Sequence, residues 1–167
     1  MLLPLLVGFG AFLGSLLSYG MATALIIHLV VRLIQTGYTG VEFWKNVAIM
    51  TIVSLVTAAA HLIQIALWVV ALLLSGEIST FETAFYYSAE NYTALGYGDI
   101  SLSAHWRLLG PLEAIDGLLL FGLSTGVMFA VMSRLVMNHL RYQLAQPVDE
   151  KLSAMLASEA RNESALL

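Results

Sequence analysis

No cysteine occurs among the 167 residues, which excludes disulfides, thiolate metal sites and cysteine nucleophiles. Charge is scarce as well. Lys, Arg, Asp and Glu make up 11% of the chain, against about 25% in an ordinary soluble domain. There is no basic excess, and a net charge of −4 points neither to nucleic acid nor to a polybasic membrane anchor. No run of regularly spaced arginines offers a voltage sensor. We find no internal repeat and no low-complexity tract, and we expect no second domain. What fills the chain is apolar: 59% hydrophobic residues and a mean hydropathy of +0.85 indicate lipid as the main solvent.

Three long apolar runs carry most of this hydrophobicity. Met1 to Val31 holds no charged residue, the second runs from Val47 to Leu74, and the third from Leu108 to Met137. Each is long enough to cross a bilayer as a helix. The first lacks the basic start and small-residue cleavage site of a signal peptide, so it reads as a retained helix. Between the second and third runs, Ile78 to His105 is too polar to span. Phe81 to Thr93 reads as a short helix, with Ser79 or Thr80 as N-cap and Glu82 in the first turn. Gly96-Tyr97-Gly98-Asp99 cannot continue that helix, so the segment reads as a re-entrant loop. Irregular backbone at membrane depth is tolerated only inside protein or beside a watery cavity, which favours a pore.

Basic residues set the expected orientation. Arg32 and Lys45 flank the first connection, and Arg134, Arg141, Lys151 and Arg161 follow the last span, leaving Arg107 alone on the other side. The positive-inside rule then puts the N-terminus outside, the re-entrant loop outside and the C-terminal tail in the cytoplasm, in a plasma (inner) membrane. Glu77, Glu82, Glu90 and Asp99 gather on the outer side, as a cation entrance requires. The tail after Pro147 has weak helical spacing (Val148, Leu152, Met155, Leu156) and reads as a short solvated helix.

A dehydrated potassium ion needs about eight oxygens in place of water, and backbone carbonyls supply them when successive ones point to one axis. Gly96 and Gly98, at alternate positions, can adopt the positive φ that such a ladder demands. One chain supplies a quarter of each ring, so this chemistry calls for four chains in closed symmetry. The stretch Tyr86-Tyr87-Ser88-Ala89-Glu90-Asn91-Tyr92-Thr93-Ala94-Leu95-Gly96-Tyr97-Gly98-Asp99 resembles the pore helix and signature of the two-helix-pore bacterial potassium channels. The likeness continues through Trp106 into the third span (Leu108 to Leu135), with the first helix outside it.

The resemblance implies an all-α membrane protein: three transmembrane helices, a re-entrant pore helix and a selectivity-filter loop, assembled as a four-fold homotetramer in the bilayer. Residues 1–35 would be an accessory helix, 45–140 the pore domain and 141–167 a short cytoplasmic tail. Potassium would be the permeant ion, with no cofactor, small-molecule substrate, nucleic acid partner or enzymatic activity. Carbonyls of Ala94, Leu95, Gly96 and Tyr97 would line the potassium sites, with Gly98 at the outer mouth. Tyr97 would brace the filter against aromatics such as Tyr86 and Tyr87, and Thr93 would support it from below. Glu90 falls where some members carry an acid paired with the filter aspartate, here Asp99; two such carboxylates would share a proton. Two departures stand out. Ala94 replaces a threonine whose hydroxyl forms the floor of the innermost site, and Leu95 replaces a valine or isoleucine behind the ladder. Both make a weakly selective cation channel the close rival.

Other polar residues have alternative readings. Glu113 and Asp116 lie one turn apart in the third span, either bonding the back of the pore helix, His61 or Gln64, or serving gating. Gly117, Gly122 and Gly126 suit a gating hinge or close packing, whereas Gly10, Gly14 and Ser18 suit packing. Gly122-Leu123-Ser124-Thr125-Gly126 fits the nucleophile-elbow letters without the strand-turn-helix context. Asn91-Tyr92-Thr93 and Asn162-Glu163-Ser164 fit the glycosylation pattern in unsuitable places. An intramembrane aspartyl protease, from Gly96-Tyr97-Gly98-Asp99 with Asp116, and a non-conducting regulatory subunit complete the rivals.

Overall fold

The computed structural model describes residues 2–35 and 43–164, with no side-chain description for residue 34 or for 145–164. Within these bounds the chain forms four helices: α1 (Leu2–Gln35), α2 (Phe43–Ser75), α3 (Phe81–Tyr92) and α4 (Leu109–Ser164). Three are long and apolar enough to cross a membrane, over Leu2–Leu33, Phe43–Ser75 and Leu109–Leu144. Each such stretch measures about 50 Å, well beyond the hydrocarbon core. The expected all-helical chain with three candidate spans is therefore present.

Local chemistry explains where the helices stop. Gly76 closes α2 in the left-handed region (φ +75°), its N–H bonding the Leu73 carbonyl at 3.2 Å, a position that favours glycine. Thr80 caps α3, its hydroxyl accepting from the Thr83 N–H at 3.4 Å, and Glu82 lies in the first turn near the positive end of the helix dipole. Pro111 sits in the first turn of α4, where its missing N–H is not needed. The tail after Pro147, expected as a short helix, is the continuation of α4, which runs unbroken to Ser164. Pro147 removes only one N–H, and Gln, Leu, Ala, Lys and Met around it are strong helix formers. The side chains of Val148, Lys151, Leu152, Met155, Leu156, Arg161 and Asn162 lie outside the described residues.

α1 packs on α2 and α4, while α3 packs between those same two helices. One core joins Trp68, Val69 and Leu72 of α2 to Ala84, Tyr87 and Tyr92 of α3 and Leu109 of α4. A second joins Ile26 and Val30 of α1, Ile49 and Val53 of α2, and Val131 and Leu135 of α4. The opposite face of α1, from Leu2 and Leu6 through Phe9, Leu13 and Leu17 to Met21 and Leu25, is exposed and wholly apolar. Lipid suits that face and water does not. The tightest glycine contact on α1 is at Gly8, where a Cβ would come within 2.7 Å of Leu112. Gly14 meets Leu67 only at 3.7 Å, and Gly10 faces open space.

Candidate functional site

The site begins where α3 ends. Thr93 caps the helix, its N–H bonding the Ala89 carbonyl and its hydroxyl donating to the same oxygen at 2.7 Å. The Ala94 and Leu95 N–H groups then bond the Asn91 and Glu90 carbonyls at 2.8 and 3.0 Å. Beyond this turn, Ala94, Gly96 and Gly98 have φ of 57°, 62° and 73°. Left-handed backbone thus recurs at every second residue. An extended L-chain turns successive carbonyls to opposite sides, and alternating the hand turns them toward one side. The two glycines adopt the positive φ expected of them. Ala94 adds a third left-handed position that composition could not reveal, at a cost of about 1–2 kcal/mol for a residue bearing a Cβ.

The segment is held by groups on α3. A Glu90 oxygen (Oε1) accepts the Gly98 N–H at 2.9 Å, and Asp99 accepts the Tyr86 hydroxyl at 3.0 Å and the Ile100 N–H at 3.1 Å. The two carboxyls therefore bond different partners rather than each other. Glu90 is buried against the backbone it bonds, whereas Asp99 lies at the exposed rim beside Tyr86. The hydrogen bond to Asp99 raises the Tyr86 phenol above its ordinary value. Burial pushes the Tyr87 phenol up to about 12, so it stays a neutral member of the core. Glu77, just beyond α2, closes the return loop by accepting the Ser103 N–H at 2.7 Å and its hydroxyl at 2.8 Å. Tyr97 is 70% exposed and Leu95 60%. Among the described residues of the single chain no ring contact joins Tyr97 to Tyr86 or Tyr87.

Behind α3 the packing is close and polar. A Cβ on Gly117 would lie 1.9 Å from the Tyr92 carbonyl oxygen, so this glycine lets α4 touch the end of α3. Gly122 and Gly126 face open space in the single chain. Glu113 bonds the Ser88 hydroxyl, and Ser88 also lies 3.1 Å from the Ile65 carbonyl. The Asp116 carboxylate accepts the Trp68 indole N–H at 2.7 Å, with buried Ser15 of α1 on its other side. Glu113 and Asp116 thus have different neighbours: the back of α3 for the first, α2 and α1 for the second. His61 and Gln64 meet the Tyr92 hydroxyl, and the other His61 nitrogen meets Ser124 at 2.9 Å.

Trp68, Ser88, Tyr92 and Ser124 also join this buried network, and no motif in the sequence assigns them to it. Their signal was present, because polar side chains in apolar runs need partners inside the protein. Which partners they find depends on how four helices meet, which periodicity does not encode. Gly122 to Gly126 is plain helix, where Ser124 donates to the Leu120 carbonyl one turn back at 2.7 Å. The two aspartates of the protease pattern are engaged separately, Asp99 by Tyr86 and Asp116 by Trp68. Among the described residues no group of three His, Asp or Glu side chains could hold a metal ion.

The family model described as "ion channel" matches residues 51–134, half of the chain, from Thr51 in α2 through α3 and the loop to Arg134 in α4. No curated protein and no solved structure matches the chain.

Proposed function

Since the chain belongs to the two-helix-pore ion channel family and is a multi-pass membrane protein, we propose that it is one subunit of a homotetrameric potassium channel. In this reading α2 and α4 are the outer and inner helices, α3 is the re-entrant pore helix, and residues 94–98 form the filter. Residues 45–140 make up the pore domain and α1 is accessory to it. The N-terminus lies outside and the end of α4 in the cytoplasm, on the evidence of Arg32, Lys45, Arg134 and Arg141.

The observation that carries the proposal is the left-handed alternation at Ala94, Gly96 and Gly98. Such alternation allows four consecutive carbonyls, from Ala94 to Tyr97, to face one side, and rings of such carbonyls replace the hydration shell of potassium. The exposure of Leu95 and Tyr97 supports the tetramer. Two large apolar or aromatic side chains beside an ion path need neighbouring subunits to cover them. Two neighbouring carbonyl sites would be occupied by ions that repel one another, and that repulsion drives conduction down the electrochemical gradient.

Ala94 favours a second reading. A methyl group in place of a hydroxyl removes four side-chain oxygens per tetramer from the innermost site, which weakens discrimination there. Flux from the purified chain in liposomes separates the two readings, with potassium and sodium gradients compared and barium added as a blocker. Potassium-selective, barium-sensitive flux is the expected result. Equal sodium and potassium flux would establish the weakly selective channel instead.

A further inference from the structure

We infer that His61 is a proton-operated tie between the pore helix and the inner helix, positioned to set how firmly the base of the filter is held. The inference rests on the reading of α3 and α4 just given. His61 lies at mid-length in α2 and touches both helices at once. Its Nδ1 is 2.9 Å from the Tyr92 hydroxyl, at the last residue of α3, and 3.0 Å from Gln64 Oε1. Its Nε2 is 2.9 Å from the Ser124 hydroxyl on α4. Its ring also lies against Phe121 of α4, with centroids 4.4 Å apart and planes tilted by 30°.

Counting hydrogens shows which form of the ring fits. Tyr92 and Ser124 each carry one hydroxyl hydrogen, and each has a second acceptor besides His61: Gln64 Oε1 for Tyr92, and the Leu120 carbonyl at 2.7 Å for Ser124. If both hydroxyls donate to those acceptors, both ring nitrogens must donate to the hydroxyl oxygens. Only the imidazolium, with two N–H groups, does this. Its contact with the Phe121 face is favourable for a cation. A neutral ring has one N–H and must give up a contact. With hydrogen on Nδ1, Ser124 turns from Leu120 to Nε2. With hydrogen on Nε2, Nδ1 faces Gln64 Oε1 acceptor to acceptor, until the Gln64 amide rotates to present its N–H. Gln64 is fully buried, and its Nε2 has no partner in the arrangement seen, so that rotation exchanges one buried group for the other. Loss of the proton therefore reorganises the bonds on one side of the ring, at Ser124 of α4 or at Gln64 and Tyr92, Tyr92 lying two residues before the filter begins.

The other titratable groups around the tie are few. Tyr92 of α3 is in direct contact with His61. Around Tyr92 in turn lie Asp116 and Glu113 of α4 and Tyr19 of α1. α2 itself contributes only the uncharged Gln64.

The test uses the full chain in liposomes, with potassium flux and ¹⁵N spectra of labelled histidine recorded from pH 5 to 8, both faces being at the same pH. Flux should change by at least about fivefold along a single-proton curve, the scale of an ordinary coupling between sites. His61→Gln should flatten the curve. Gln64→Glu should move its midpoint to higher pH, because a carboxylate beside the ring favours the imidazolium. Ser124→Ala, which keeps the histidine, should also displace the midpoint and serves if His61→Gln fails to assemble. The His61 signals, identified by their loss in His61→Gln or by their displacement in Ser124→Ala, should show both nitrogens becoming donors along the same curve. A pH profile shared by the parent and these variants overturns the tie, as does a His61 ring that stays neutral throughout. A protein that passes no ion at any pH but shows the His61 titration displaced by Ser124→Ala retains the tie and refutes conduction.

Discussion

On one side of α3 lies a backbone segment, Thr93 to Asp99, exposed in the single chain, with three left-handed residues in five. On the other side lie Ser88, Glu113, Asp116 and Gln64, buried among α1, α2 and α4 and bonded through side chains. The exposed side gets its shape from backbone conformation, with two carboxylates steadying it. The buried side gets its shape from packing and side-chain partners, with little backbone strain. One helix thus holds a strained, uncovered segment in place by anchoring its own rear surface. Strain persists only where surrounding structure over-determines it.

If that division is correct, the largest effects come from loosening the rear. Gly117→Ala places a methyl 1.9 Å from the Tyr92 carbonyl oxygen, a backbone atom that cannot swing aside. α4 must move off α3, and we expect a loss of about 3 kcal/mol or more, the upper range for overpacking. Thermal unfolding in detergent, with size-exclusion to follow assembly, measures it. Stability equal to the parent would mean that Gly117 is not a fixed contact and would return it to the role of hinge.

Next comes Trp68→Phe, which takes the indole N–H from the buried Asp116 carboxyl. A buried polar group stripped of its partner costs about 1–3 kcal/mol. Asp116→Leu, removing the group itself, should partly restore the loss when combined with Trp68→Phe. Simple additivity of the two changes in the same unfolding measurement would show that the bond contributes nothing.

How much of this could be read from residues differs between the two sides. The spans, the short helix after Thr80 and the role of Gly96 and Gly98 follow from apolar run length, a capping hydroxyl and the steric freedom of glycine. Each is a property of neighbours in sequence, and so each was legible. The rear surface was legible only as a need for partners: Glu113 and Asp116 had to bond something, and the choice of Ser88 and Trp68 is made by helices 25 and 48 residues away. Separate bonding of Glu90 and Asp99 was hidden for a related reason. Their spacing allows a pair, and only the fold of the loop brings the Gly98 N–H to Glu90 first. The unbroken α4 past Pro147 shows neighbouring propensity overriding a single breaker.

On the exposed side a smaller change should alter function more than stability. Gly98→Ala puts a Cβ on a residue at φ +73° that has open space around it in one chain. The cost is therefore conformational, about 1–2 kcal/mol per subunit, and it falls on the backbone whose N–H bonds Glu90. If the chain forms the proposed potassium channel, we expect a tetramer that still assembles but whose potassium-to-sodium permeability ratio drops toward one. An unchanged ratio in liposome flux would mean that the left-handed turn at Gly98 is not needed for selection.

Ala94 sharpens the comparison most finely, because of the three left-handed residues in the loop it alone is not glycine. Ala94→Gly keeps φ near 57° while removing the Cβ that opposes it, so native strain of about 1–2 kcal/mol disappears. The added freedom of the unfolded glycine chain offsets part of that gain. Stability should move by less than in any variant above. Ala94→Thr acts in the opposite sense on the backbone, since a β-branched residue resists positive φ more than alanine does. In the proposed potassium channel it would also put a hydroxyl at the floor of the innermost site, and four such oxygens should strengthen potassium binding there. The two terms separate by measurement: strain lowers the unfolding temperature, and the hydroxyl raises the potassium-to-sodium ratio. A threonine variant less stable than the parent yet more selective would show that alanine here trades ion contact for backbone ease. A variant unchanged in ratio would place selection in the outer carbonyls, from Leu95 to Tyr97, alone.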